Sequence, residues 1–274
     1  MDELYVIARQ VRLDALEALG DHRHATILVG AQAVYFHTGD ADLGIVEHTT
    51  DADLAIDPRL LAEIPPLEIA LAAAGFQGSA ANVGVWKTRR ETLLHGPVDV
   101  QVDLLVPASV SPGAGRRAAR LAGHDAGSAR KVDGLEGALV DHAERLITAL
   151  DPERDPREVR LQVAGPGALP VAKVLKIDER KGTSRASDKD ALDVFRLLRA
   201  LDTGELASHM RLVLADAQSA ESAGRALAAF RRQFGTWAGV GSAMAARAAQ
   251  PVLDAGEVRL ACEYLAGDLL AALS

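Results

Sequence analysis

Residues 27–56 read ILVGAQAVYFHTGDADLGIVEHTTDADLAI, and this stretch decides the fold of the first part of the chain. It begins inside an apolar run, Ala25–Val29, whose β-branched members predict a short buried strand. Gly30 then turns the chain into a short helix, which Gly39 ends. A helix start can present free backbone N–H groups to a phosphate, so this order of elements predicts an anion-binding turn.

The last eight residues of the stretch, TTDADLAI, predict a second strand, Thr49–Ile56, that carries Asp51 and Asp53. Side chains two residues apart on a strand project from the same face, so the two carboxylates point the same way. Adjacent like charges are unfavourable unless a cation neutralises them, and carboxylate oxygens suit Mg²⁺. The pair is therefore predicted to bind metal; the alternative interpretation is a turn followed by a solvated strand edge.

A further carboxylate lies on the strand predicted for Val98–Val106, whose sequence is VDVQVDLLV. The pattern alternates, with apolar residues on one face and Asp99, Gln101 and Asp103 on the other. A third carboxylate on a neighbouring strand would complete a two-metal site for phosphoryl or nucleotidyl transfer. Alternation alone does not distinguish Asp99 from Asp103, and an ordinary half-exposed strand has the same pattern.

The composition excludes several classes of protein. The chain has 274 residues, 49% of them hydrophobic, and a formal charge of −8, so a generally basic nucleic-acid coat is absent. Its single cysteine, Cys262, excludes a disulfide framework and a cysteine-rich zinc site. No apolar stretch reaches the roughly 18 residues of a bilayer span. The start, MDELYV, lacks the cationic region of a secretory signal, so we expect a cytoplasmic protein without membrane association.

The chain divides into a predicted α/β part, residues 1–165, and a predicted helical part, residues 166–274. In the first part, residues 2–19 predict a helix, and residues 58–74 predict another that Pro65 and Pro66 kink or split. Further strands are predicted at Asn82–Thr92, Ile147–Leu150 and Val159–Val163, with at most weak strand signals over 107–141. Helices of the second part are predicted at 168–181, 188–201, 205–217, 221–234, 240–249 and 254–272.

The first two of these helices carry a group of charged residues. Lysine is scarce in the chain, with 6 lysines against 24 arginines, yet Lys173 and Lys176 lie on one helix face with Arg180. A solvated basic face is the alternative interpretation, and spacing does not separate Lys173 from Lys176. On the next helix, either Asp190 or Asp193 is expected to face a site, while the other caps the helix.

Two sets of motifs resemble a known family. The glycine turn, short helix, Asp-x-Asp pair and later strand aspartate resemble the nucleotidyltransferase fold of the DNA polymerase β superfamily. Residues 170–201, PVAKVLKIDERKGTSRASDKDALDVFRLLRAL, are similar to the AbiEii group of bacterial nucleotidyltransferases. Members of that group carry a lysine-bearing helix, then an arginine, then a helix with the motif (K/R)D-x-x-D. The likeness extends from about residue 20 to about residue 200.

The resemblance implies an α+β protein in which a nucleotidyltransferase-fold mixed sheet, flanked by helices, precedes a C-terminal helical bundle. It also implies a Mg²⁺-dependent enzyme, with two ions, that transfers a nucleoside monophosphate from a nucleoside triphosphate (NTP) to an acceptor hydroxyl. The best understood members of the group are toxins of toxin–antitoxin pairs, several of which add nucleotides to tRNA. By the same likeness, tRNA is an expected acceptor and an antitoxin protein an expected partner.

Site residues follow from the resemblance position by position. The catalytic, metal-binding carboxylates would be Asp51, Asp53 and Asp103, since VDLL matches the family motif better than the sequence around Asp99. The implied nucleotide-binding residues are Gly30, Ala31, Lys173, Lys176, Asp190 and Asp193.

One departure from the family pattern concerns the glycine turn. The family usually has Gly-Gly or Gly-Ser there, whereas this chain has Gly30-Ala31. Two alternatives therefore accompany the nucleotidyltransferase prediction. One is a catalytically degenerate protein of the same fold that binds a partner chain. The other is a metal-dependent phosphoesterase that uses the same carboxylates with water as the acceptor.

Overall fold

The computed structural model describes residues 3–39, 51–111 and 117–274. The chain folds into two compact units, each formed from several separate segments. The described residues of the first unit are 3–32, 51–111, 117–132 and 143–163. Those of the second unit are 33–39, 133–142 and 164–274.

The secondary structure contains most of the predicted elements in their predicted order, but Gln77–Gly78 and Arg130–Val132 are additional strands, and the strand predicted at Ile147–Leu150 lies at His142–Thr148. The strands are β1 (Thr26–Val29), β2 (Asp51–Ile56), β3 (Gln77–Gly78), β4 (Val85–Thr92), β5 (Gly96–Pro107), β6 (Arg130–Val132), β7 (His142–Thr148) and β8 (Glu158–Ala164). The helices are α1 (Glu3–Leu19), α2 (Gly30–Thr38), α3 (Leu67–Ala73), α4 (Ala168–Arg180), α5 (Asp188–Ala200), α6 (Thr203–Ala215), α7 (Ala220–Phe234), α8 (Val240–Ala249) and α9 (Ala255–Leu273).

In the part of the chain that is described, the strands form one mixed sheet of eight. Its order is β3-β4-β5-β2-β1-β8-β7, and β6 pairs with β5 beside that path. Strand β2 runs antiparallel to β1 and parallel to β5, while β4 runs antiparallel to β5. The prediction of an α+β fold with a mixed sheet, flanking helices and a C-terminal helical region is therefore confirmed.

The alternation in β5 sorts its side chains between the two faces of the sheet. Val100, Val102 and Leu104 are buried, and helix α1 packs against β5, β2 and β4. The intervening residues Asp99, Gln101 and Asp103 retain exposed surface on the opposite face. Burial of the face that carries the two valines and Leu104 stabilises the sheet. The opposite, polar face does not take part in this burial and is available to carry a site.

The second unit is built mainly from helices α4 to α9. Each helix has an apolar stripe at helical spacing, and the stripes meet in a core that includes Phe195, Phe230 and Phe234. Asp202 and Asp254 cap α6 and α9 by accepting backbone N–H groups of the first turn. The predicted helices of residues 168–272 are all found, with bounds that differ by at most two residues.

The structure corrects the prediction of a helical stretch over residues 58–74. Only α3 is helical there, and residues 58–66 form turns and irregular loop. Pro65 and Pro66 explain the difference, because proline lacks the N–H that the interior of an α-helix needs and disfavours helical geometry in the residue before it. The predicted strand Thr49–Ile56 is found from Asp51 onward, and residues 49 and 50 lie outside the described residues.

Three histidine rings of the first unit hold the loop over residues 58–66. The Nε2 atoms of His22, His24 and His124 lie 2.8–2.9 Å from the carbonyl oxygens of Pro65, Leu60 and Ala62, respectively. His124 also accepts the backbone N–H of the first residue of α3 on its Nδ1 atom, at 3.0 Å. A neutral ring with its proton on Nε2 makes both His124 contacts, whereas a protonated ring loses the second.

This arrangement predicts how acid affects stability. Burial lowers the pKa of His124 below its ordinary value, so the unfolded chain binds this proton at a higher pH than the folded chain does. The His124 contribution to stability is therefore complete above pH ~6.5 and is lost as pH falls toward the lower folded pKa, with a slope below ~1.4 kcal/mol per pH unit. Unfolding free energies of parent and His124→Gln proteins, measured from pH 7.5 to 5, should differ in slope over that interval. Parallel curves would contradict the assignment.

Among the described residues, no helix combines the length and the apolar character that crossing a bilayer requires.

Candidate functional site

The predicted carboxylates of the first unit lie where three strands run side by side. In the parallel pair of β2 and β5, Asp53 lies directly opposite Asp103, and Asp51 lies opposite Gln101. Directly opposed residues of neighbouring strands project from the same face, so all three aspartates share the polar face of the sheet. Asp99 is exposed and lies four residues before Asp103 in β5, opposite Arg89 of β4. Of the two candidates on β5, Asp103 is the one beside Asp53.

Gly30 is the residue that lets α2 begin next to this face. Its neighbour Val29, the last residue of β1, lies opposite Asp53 in the antiparallel pair. Gly30 has a φ of +73°, and a Cβ atom built on it would lie 2.1 Å from the Asp53 Oδ2 atom. An L side chain is thus excluded both by the left-handed backbone and by contact with the carboxylate. The start of α2 and the Asp53 carboxylate therefore adjoin each other.

A buried arginine, Arg12, is connected through Gln32 to the backbone of Asp51, the first residue of β2. Arg12 of α1 donates from Nη1 to the side-chain oxygen of Gln32, and Gln32 donates from Nε2 to the Asp51 carbonyl oxygen at 3.0 Å. Arg12 is only 1% exposed, and burial, together with Arg9, lowers the pKa of its guanidinium. These contacts fix the beginning of β2, which carries Asp51 and Asp53, against the beginning of α2.

A second arginine that contacts the site is not marked by any motif in the sequence. Arg130, the first residue of β6, donates from Nη2 to the Asp103 Oδ2 atom at 2.5 Å. The Asp103 side chain is 14% exposed, and the Arg130 side chain is 31% exposed. A strand of three residues inside a segment rich in glycine, serine and arginine gives no periodic signal, so Arg130 could not be found from pattern. Arg12 could have been suspected, because it interrupts the apolar stripe of α1.

The three aspartates are candidate ligands for a divalent cation. Their chemistry fits, since Asp51, Asp53 and Asp103 supply the oxygen donors that Mg²⁺ prefers. The arrangement fits less well, because Arg130 occupies one oxygen of Asp103. Within the described residues, no three His, Cys, Asp or Glu side chains are grouped closely enough to hold a metal ion.

The predicted residues of the helical part come together in the second unit. Lys173 is 5% exposed, and its Nζ atom lies 2.6 Å from Asp193 and 3.3 Å from Asp190. Lys176, whose side chain is 34% exposed, reaches Asp190 at 2.9 Å, and Arg180 reaches it at 3.8 Å. Four of the six residues predicted to bind nucleotide, with Arg180, thus form one ion-pair network between α4 and α5.

The network determines the charge state of its central carboxylate. Burial raises the pKa of Asp190, but Lys173, Lys176 and Arg180 outweigh burial, and the pKa lies below its ordinary value. Asp190 is therefore ionised at neutral pH. Lys173 is enclosed by two carboxylates, whereas Lys176 keeps part of its side chain in solvent. A role for any of these residues in nucleotide binding stays a prediction.

The chain was compared with known proteins in three ways. No family model matches it, and no curated protein matches it. Among solved structures, it is similar to the crystal structure of an antigenic nucleotidyltransferase-like protein from Paracoccidioides brasiliensis. The identity is 14% and the TM-score 0.39, and the match covers 82% of this chain and 93% of that chain.

Proposed function

We propose that the protein is a Mg²⁺-dependent nucleotidyltransferase that transfers a nucleoside monophosphate from an NTP to an acceptor hydroxyl. The observation that carries the proposal is the position of Asp53. Its carboxylate lies beside Asp103 in register and against Gly30, where α2 begins. Carboxylates for a cation and the N-terminal N–H groups of α2, which suit a phosphate, thus adjoin each other on one sheet face.

The residues of this face would have separate roles in the proposed reaction. Asp51, Asp53 and Asp103 would hold Mg²⁺, which when bound would neutralise phosphate charge and lower the pKa of the acceptor hydroxyl. Gly30 and Ala31 would present N–H groups to the triphosphate. The acceptor oxygen attacks the α-phosphorus, the bond from that phosphorus to the bridging oxygen breaks, and pyrophosphate leaves. A carboxylate of the face takes up the hydroxyl proton.

Nucleotide binding tests the proposal without knowledge of the acceptor. Thermal unfolding would be followed with each of the four NTPs, with and without Mg²⁺. A ligand at about 100 times its dissociation constant stabilises a protein by about 2.7 kcal/mol, which raises the midpoint by several degrees. We expect such a rise with at least one NTP, and only in the presence of Mg²⁺.

One rival function is favoured by a specific observation. The ion pair between Arg130 and Asp103, together with Ala31 in place of glycine or serine, suits a degenerate member of the same fold that binds a partner chain. The absence of any midpoint shift with all four NTPs would favour that rival over the enzyme. A shift that appears equally without Mg²⁺ would instead contradict the metal dependence.

The finer parts of the proposal come from the sequence resemblance. They are membership of the AbiEii-like group, tRNA as the acceptor, a toxin role and an antitoxin as partner. The basis for them is the likeness of residues 170–201 and of the motifs around Asp53 and Asp103. Transfer of labelled nucleotide to purified tRNA would test the acceptor directly.

A further inference from the structure

Helix α1 carries a positive charge into the interior of the first unit. Arg12 is only 1% exposed, and every other buried residue of α1 is apolar. Among the described residues, no carboxylate offsets this charge, and the side chain charge that acts on Arg12 most strongly is that of a second cation, Arg9. A buried charge is unfavourable unless an opposite charge lies beside it. The surroundings of Arg12 therefore favour an anion.

The hydrogen-bond donors of Arg12 are satisfied on one side of the guanidinium only. Its Nη1 atom donates to the side-chain oxygen of Gln32. Its Nε and Nη2 atoms are buried, and neither donates to any atom in the described part of the chain. These two nitrogens form one edge of the guanidinium, the edge that holds an anion through two parallel hydrogen bonds. Arg12 thus presents an anion-binding edge inside the first unit.

Arg9 supplies a further donor close to Arg12. It lies three residues earlier on α1, and side chains with this spacing are neighbours on a helix surface. Its Nη1 atom donates to the Thr148 carbonyl oxygen at 2.8 Å in an exposed hydrogen bond, whereas its Nε atom is buried and finds no acceptor among the described residues. Because Arg9 is only half-buried, it also connects the surroundings of Arg12 with solvent.

The chemistry of these two side chains limits the class of ligand. Both arginines supply only donors, so the ligand has to accept hydrogen bonds without donating any. Hydrogen phosphate carries a proton that would need an acceptor, and a large organic anion does not fit beside a side chain as enclosed as Arg12. A small monatomic anion satisfies both conditions.

We propose that Arg12 and Arg9 bind a chloride ion that stabilises the first unit. The ion would neutralise Arg12, which through Gln32 holds the carbonyl oxygen of Asp51 at the start of β2. Chloride would therefore stabilise the packing of α1 against β2. This inference does not rest on the proposed nucleotidyltransferase activity, and it requires no metal ion.

Anomalous diffraction from crystals grown with bromide in place of chloride tests the site directly. Bromide has the charge of chloride and a similar size, and X-ray data collected at its absorption edge locate it. We expect an anomalous peak within hydrogen-bond distance of the Nε and Nη2 atoms of Arg12. A water molecule at that position instead of bromide would overturn the proposal, because water does not neutralise the charge.

Thermal unfolding tests whether the ion stabilises the protein. Sodium chloride would replace sodium gluconate, whose anion is too large for the site, at constant ionic strength, so that charge screening stays the same. Chloride at about 100 times its dissociation constant should raise the midpoint of the parent by several degrees. Arg12→Met should lose this rise. In gluconate its midpoint should be no lower than that of the parent, because it no longer buries an unpaired charge.

Two further variants separate chloride binding from other effects of salt. Arg89→Met removes one positive charge from an exposed position of β4 and should keep the chloride response of the parent. Arg9→Met removes one donor, so the chloride concentration that gives half of the response should rise about fivefold. Should Arg12→Met fail to fold, this fivefold rise and the bromide peak still test the proposal.

The outcomes decide for or against the chloride site. A bromide peak at Arg12, with a chloride response that Arg12→Met loses, supports it. A bromide peak without a chloride response in the parent would indicate an adventitious ion only and would overturn it. Equal responses in the parent, Arg12→Met and Arg89→Met would reflect a general salt effect and would also overturn it. Nucleotide binding is measured separately, so failure of either proposal leaves the other intact.

Discussion

Asp53→Asn is expected to weaken binding of the Mn²⁺–NTP complex by about 100-fold, or about 2.7 kcal/mol. Asparagine has the shape of aspartate, so the contact with Gly30 and the pairing of β2 with β1 and β5 stay in place. The substitution removes one negative charge and the oxygen donor that Mg²⁺ and Mn²⁺ prefer over an amide. Calorimetric titration with a non-hydrolysable NTP measures the change.

Asp99→Asn is the matched control for this substitution. Asp99 lies on the same sheet face and carries the same charge. It is exposed, however, and lies four residues before Asp103, which is the residue of β5 that pairs with Asp53. Its loss should leave the affinity within about twofold of the parent value, because an exposed charge at that distance is screened by salt. Equal losses in Asp53→Asn and Asp99→Asn would show that only net charge matters, and Asp53 would then have no specific role.

Lys173→Met is expected to destabilise the protein by about 3–5 kcal/mol, as for removal of one partner from a buried ion pair. Methionine fills a similar volume but leaves Asp193, 1% exposed, without its cation. One oxygen of Asp193 already accepts no hydrogen bond within the described part of the chain. Equilibrium unfolding in guanidinium chloride, followed by circular dichroism, measures the change.

Two further variants show whether burial causes this loss. Lys176→Met removes a cation from the same network, but that side chain is 34% exposed, so its loss should cost at most about 1 kcal/mol. The double variant Lys173→Met, Asp193→Leu removes both charges of the Lys173–Asp193 pair and should recover part of the lost stability. A Lys173→Met protein as stable as Lys176→Met would contradict the description of Lys173 as a buried, paired cation.

Regular elements with a clear hydrophobic period could be predicted from the sequence. The alternation of β5 places Val100, Val102 and Leu104 in the core and leaves Asp103 on the polar face, as the pattern indicates. The helices of residues 168–272 also follow their apolar spacing. Local pattern is sufficient in these cases because burial of one face determines both the element and its orientation.

Elements without a regular hydrophobic period could not be predicted from local sequence pattern. Hydrogen bonds from His22, His24 and His124 hold the loop over residues 58–66. The residues of this loop have the composition of a helix, but they lack the capping residues that mark where a helix begins. Strand β6 is three residues long and pairs with β5 far away in sequence. Such elements depend on tertiary contacts, which a local window of sequence does not contain.

The candidate site likewise has a part that the sequence predicts and a part that depends on the folded structure. The sequence places Asp51 and Asp53 on one strand and predicts the glycine turn, but it leaves Asp99 and Asp103 as alternatives. Strand register decides which of the two lies beside Asp53, and register is a property of the folded sheet. The partners Arg12 and Arg130 are likewise determined by packing, since neither lies in a motif.

The products of turnover test most directly whether the protein transfers a nucleoside monophosphate. The parent protein would be incubated with NTPs labelled on the α-phosphate, Mg²⁺ and total RNA, with Asp53→Asn as the inactive control. We predict Mg²⁺-dependent label on an acceptor and an equal amount of released pyrophosphate. Label recovered only as free nucleotide, or phosphate released without labelled acceptor, would contradict transfer and indicate a phosphoesterase.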